Sequence, residues 1–138
     1  MIKIIKKVLW LTLFFIMCNN LYSAELVSEG SGNFSQTEII LTDKSKVSTF
    51  TTTGTFKNNI GKYGSFICIG FIDRKSSGEI NKLENICESI DQNGVKTWTK
   101  GKRSKSDIKA GVGKSLIVDS TSKHKKILIN TECKYAVN

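Results

Sequence analysis

Proline is missing from all 138 residues, histidine occurs once and cysteine four times. The lack of proline excludes a collagen-like or proline-rich repeat, the lone histidine excludes a His-rich metal site, and the length excludes a multidomain enzyme. No apolar run approaches the roughly 20 residues needed to cross a membrane as a helix. The longest, Val8–Met17, is about half that. Acidic residues are also scarce, 12 against 21 Lys+Arg. What is present is ordinary for a folded domain: 39% apolar and 24% charged residues, too hydrophobic for a disordered chain.

The first segment has the order of a secretory signal peptide. Lys3, Lys6 and Lys7 precede the apolar Val8–Met17, and a polar stretch then leads to the small residues Ser23 and Ala24. Residues 1–24 are therefore expected to be removed, leaving residues 25–138 as one domain in the periplasm or outside the cell. A lipidated Cys18 would require small residues before it, and Ile16-Met17 supplies none. Loss of the three leader lysines leaves 18 basic against 12 acidic residues, a mature charge of +6.

Cys68, Cys87 and Cys133 remain after cleavage. In an oxidising compartment three thiols lead to one bridge and one spare. Without a short Cys-x-x-Cys unit their spacing does not fit zinc, and no metal or cofactor is expected.

After the leader no stretch repeats with helical period. Runs rich in Thr, Ile, Val and Phe alternate instead with Gly, Asn and Ser. Candidate strands are 26–34, 37–42, 46–57, 62–73, 79–90, 95–103, 113–119 and 126–136. Their even spacing predicts an all-β fold, a small antiparallel up-and-down barrel of about eight strands. Asn93-Gly94 reads as a two-residue hairpin loop, placing Ser89 opposite Trp98. Ser77-Gly78 read the same way pairs residues whose numbers sum to 155, and Cys68 and Cys87 sum to 155. A bridge between them is the expected disulfide, with Cys133 as alternative partner or free thiol. The same register puts Phe66, Cys68, Ile72, Leu83, Cys87 and Trp98 on the expected core face, with Phe66 and Trp98 as core aromatics. Ile67, Ile69, Phe71, Ile86 and Ile90 take the other face with Glu84 and Glu88.

Several motifs imitate chemistry. Gly113-Lys114-Ser115 resembles the end of a phosphate-binding loop, but the first glycine of that motif would fall on Ile108, and a strand signal follows instead of a helix. Asp91-Gln92-Asn93-Gly94 lacks the later acidic ligands of a calcium loop. Glu84 and Glu88, about 13 Å apart on a strand, are too distant for a glycosidase pair. His124 sits among lysines without an orienting partner, so no catalytic residue is assigned. Lys96, Lys100, Lys102, Arg103, Lys105 and Lys109 form a basic stretch, and Lys123–Lys126 a second cluster. Either could attract a polyanion weakly, but stacking aromatics are few.

Gly54-Thr55-Phe56, Gly61-Lys62-Tyr63-Gly64, Cys68-Ile69-Gly70, Cys87-Glu88, Asp91–Trp98, Ala110–Gly113 and Cys133-Lys134-Tyr135 together resemble a family of small exported bacterial proteins. The resemblance spans residues 54–137 and implies a lipocalin-like or allene-oxide-cyclase-like barrel. Val95 stands where that pattern has an acidic residue, and Thr121-Ser122-Lys123-His124 where Thr-Gly-Lys-Tyr is usual. The resemblance carries no catalytic residues. The functional expectation is an exported, non-enzymatic barrel that binds a small apolar ligand or a partner protein. The alternatives are a cyclase- or isomerase-type enzyme with a barrel pocket, and a basic surface module for polyanions.

Overall fold

A computed structural model of the chain describes residues 25–106 and 111–137; the expected leader, residues 1–24, lies outside them. Seven strands run in chain order through one antiparallel sheet: β1 (Ser28–Ile40), β2 (Lys46–Asn58), β3 (Tyr63–Arg74), β4 (Ile80–Asp91), β5 (Lys96–Ser106), β6 (Gly111–Ser120) and β7 (Glu132–Val137). The all-β, up-and-down order agrees with the strand spacing, with seven strands described and no closing ladder among them. The first two candidate strands are one strand, because Ser35 and Gln36 continue the ladder to β2 without a break. The last candidate strand begins instead as a short helix, α1 (Lys125–Leu128), before β7. Among the described residues β1 and β7 share no ladder, so the described sheet is not closed.

Four hairpins use one loop design. In each, the residue before the loop bonds the residue four later: Leu41 with Ser45, Asn58 with Lys62, Lys75 with Glu79, and Asp91 with Val95. The last loop residue has positive φ, namely Lys44 (66°), Gly61 (78°), Gly78 (85°) and Gly94 (76°). These are three-residue loops with a left-handed final residue, in place of the two-residue loops expected at Ser77-Gly78 and Asn93-Gly94. Asn93 does not have positive φ, and a two-residue type I′ turn would need it.

The extra loop residue shifts each register by one, with opposite outcomes. Between β4 and β5 nothing compensates: Ser89 lies opposite Thr97, and Trp98 opposite Glu88. A one-residue slip moves a side chain to the other face, so Trp98 is not a core aromatic beside Phe66. Between β3 and β4 a bulge between Arg74–Ile80 and Asp73–Lys82 restores the sum of 155. Cys68 therefore does lie opposite Cys87 and is bonded to it, with Cα atoms 4.0 Å apart. The bulge also turns Ile80 onto the face of Ile72 and Phe50, where all three are buried with Leu83 packed against them.

With no second layer, only the curl of the sheet can shield one face from water. Along β3 exposure alternates: Ile72 is 3% exposed and Ile69 56%. The shielded inner face carries Phe50, Phe66, Cys68, Ile72, Leu83 and Cys87. The outer face carries Ile67, Ile69, Phe71, Ile86 and Trp98. Apart from Trp98, both sets match the faces read from the sequence.

Glycine explains the curl. Of eleven glycines, Gly61, Gly78 and Gly94 serve turns, and the other eight all fall on the inner face of the strands. At Gly70 a Cβ would occupy the space of the Phe50 ring and approach the Glu84 carbonyl oxygen to 2.6 Å. The missing side chains let neighbours lie flat and bring the strand backbones close on the inside of the bend.

Gly70→Ala is expected to destabilise the fold by about 1–3 kcal/mol through overpacking. Ser65→Ala on the outer face of the same strand should stay within about 0.5 kcal/mol. Denaturant midpoints of the two variants check both values.

Candidate functional site

The inner face is the more shielded surface of the sheet, and several strands build it together. Its apolar floor starts at β1 and β2, where the rings of Phe34 and Phe50 stack at 5.4 Å, and continues through Phe66 to Ile72 and Leu83. Each occupies alternate positions of its strand, so the period of two gathers them on one side. The Cys68–Cys87 bridge fixes the centre of this floor by tying β3 to β4.

Polar side chains also line this face, and three of them bear on a ligand. Ser48 Oγ, Asn85 Oδ1 and Tyr135 OH are buried and have no hydrogen-bond partner among the described residues. Asn85 lies over Gly101, and Tyr135 over Gly113, in space that a Cβ would otherwise fill. Burial pushes the Tyr135 phenol above its ordinary value, opposed by the positive charge of Arg103. The phenol is therefore a neutral donor across the physiological range. A buried polar group without a partner is costly in an apolar setting, and a ligand's polar atom would relieve it. None of these three residues stands out in the sequence, because each gains its role only from the glycine opposite it or from the strand that buries it.

The described part of the basic stretch is divided between the two faces of β5. Lys96, Lys100 and Lys102 line the outer face of β5, whereas Arg103, one residue on, takes the inner face. Lys96 is paired with Glu88 at 3.2 Å, while Lys100 and Lys102 are exposed. Lys105 falls at the end of β5, and Lys109 lies outside the described residues. In the second cluster Lys125 pairs with Asp119 at 2.6 Å, and His124 is exposed in the turn before α1.

Asp91 organises a turn. Its Oδ1 accepts the Asn93 and Val95 amides, each at 2.9 Å, and Oδ2 accepts Lys62 Nζ at 3.1 Å. These bonds, the Val95 amide foremost, hold its carboxyl below the ordinary 3.8. No cluster of His, Cys, Asp and Glu able to hold a metal occurs among the described residues, and no helix among them is long and apolar enough to cross a membrane. Cys133 is a free, exposed thiol on β7, raised above its ordinary value by partial burial and by the Glu132 carboxylate.

No family model, no curated protein and no solved structure matches the chain.

Two measurements test this chemistry. A carboxyl with a depressed pKa contributes its stability above the unfolded value, and that contribution is lost as pH falls through the lowered one. Acid titration should therefore release the Val95 amide only below pH 3.8, and Asp91→Asn should flatten that limb in an NMR pH series. In protein beginning at Glu25, iodoacetamide should modify one cysteine before reduction and three after it. The first should react slowly at neutral pH because its thiolate is scarce.

Proposed function

We propose that this chain is an exported, non-enzymatic β-sheet protein that holds a small, mostly apolar ligand against the inner face of its sheet. The observation that carries the reading is the coincidence of an apolar floor with three buried polar atoms, Ser48 Oγ, Asn85 Oδ1 and Tyr135 OH, that have no partner among the described residues. Ligand sites have this composition: much apolar surface and a few fixed polar groups that orient the guest. Export is supported by the leader-like residues 1–24 and is consistent with the Cys68–Cys87 bridge, which persists in oxidising compartments. The resemblance to small exported barrel proteins points the same way, since their curved sheets also offer an inner surface.

A cyclase- or isomerase-type enzyme would use the same face and the same polar atoms. It differs in one outcome, because a ligand recovered chemically unchanged after prolonged incubation belongs to a binder. The polyanion reading has less behind it now that Arg103 leaves the stretch and Lys96 is ion-paired.

The test is a titration of the protein with the fluorescent probe 1-anilinonaphthalene-8-sulfonate, followed by displacement with oleate. Saturable binding is expected, and Phe66→Ala should weaken it about tenfold, the loss expected from removing one buried ring. Ile69→Ala, on the outer face, should leave it unchanged. Equal losses in both variants, or no saturation, would refute an inner-face site.

A further inference from the structure

The inner face follows a pairing rule. Phe56 lies directly opposite Gly30 and Gly64, Phe66 opposite Gly54, Phe50 opposite Gly70, and Tyr135 opposite Gly113. At Gly54, Gly70 and Gly113 the ring of the opposite residue, Phe66, Phe50 and Tyr135 in turn, lies in the space that a Cβ would fill. Among the described residues one inner-face aromatic breaks the rule. Phe34, on the edge strand β1, has Thr52 opposite it on one side and nothing on the other, and it is 57% exposed.

β1 is also an unprotected edge. Its thirteen residues pair with β2 without a bulge and include no lysine, arginine or proline, the usual devices that keep an edge from pairing with another chain. The other edge, β7, has six residues and carries Lys134. The direction of the free backbone groups follows from the ends of the β1–β2 ladder. Asn59 N donates to Val27 O at 3.0 Å, and Leu41 N donates to Ser45 O at 2.9 Å. Odd-numbered residues of β1 thus turn to β2, and even-numbered ones, Gly32 and Phe34 among them, present N–H and C=O outward.

We propose that β1 is the interface for a second copy of this chain, joined antiparallel across a two-fold axis at Asn33. That register places Gly32 opposite Phe34 of the second copy, and Phe34 opposite its Gly32, so the broken rule is completed twice. Both are outward-facing residues, so each couple is also a hydrogen-bonded pair. The overlap runs from Ser28 to Glu38. Within it Glu29 meets Thr37 and Glu38 meets Ser28, so no like charges oppose one another. The contact is isologous, one strand meeting itself, and it closes as a dimer while covering both copies of the exposed edge.

Light scattering after size exclusion, on protein beginning at Glu25, should give the mass of a dimer that dissociates on dilution. Gln36→Pro removes an outward N–H and leaves the β1–β2 ladder intact, since proline is tolerated on that side of an edge strand. It should raise the dimer dissociation constant by about tenfold or more while circular dichroism stays unchanged. In a Cys133→Ser background, Asn33→Cys should form an intermolecular disulfide, because residue 33 faces its own copy in a non-bonded pair. A monomer at millimolar concentration would overturn the proposal. So would a dimer indifferent to Gln36→Pro, or cross-linking at Phe34→Cys in preference to Asn33→Cys.

Discussion

The pairing of a bulky inner-face side chain with a glycine on the next strand is the contact on which the rest of the molecule depends. Phe50 over Gly70 and Asn85 over Gly101 show the two versions, apolar and polar. A sheet of seven strands with no opposing layer has few ways to remove apolar surface from water. Bending is one, and bending demands that the inner side be thin. Glycine supplies the thinness, and the ring lying across it supplies the buried area that a stacked second sheet would otherwise provide. The outer face has no glycine and holds Thr, Ile, Lys and Glu at full size, as the outside of a curve permits.

The turns impose a second layer of control. Three-residue loops repeat through the first four hairpins, and each sets the faces of everything that follows it. The β3–β4 hairpin shows how tightly this is balanced. Its loop alone would place Cys68 one residue out of step with Cys87, and the bulge at the start of β4 returns them to opposition. That bulge also delivers Ile80 to the small core. One local irregularity thus serves both the covalent tie and the packing.

The surface that bending creates is also the surface most suited to recognition. It joins an apolar floor to buried polar atoms of Ser48, Asn85 and Tyr135 that have no partner among the described residues, and a disulfide ties its centre. Charged residues fall on both faces: Glu38, Lys46 and Arg103 share the inner one, and Lys100 and Lys102 the outer. Lys62, Lys75, Lys82, Lys114 and Lys125 are each engaged with a carboxylate, mostly at exposed positions where such pairs contribute little to stability.

Strand content, antiparallel order, the Cys68–Cys87 pair and most of the face assignments were legible in the residues themselves, because alternation with period two and the glycine-rich turns are local signals. The placement of every strand glycine on one side is also written in the sequence, but it emerges only from the register between strands. Loop length, and with it the face of Trp98, was decided by the structure: Asn93-Gly94 serves a two-residue or a three-residue loop equally well, and only the φ angles distinguish them. The open edge at β1 and the gathering of Ser48, Asn85 and Tyr135 on one surface are likewise tertiary outcomes. They depend on the register between strands distant in the chain, and a one-residue slip anywhere along the meander would have scattered them.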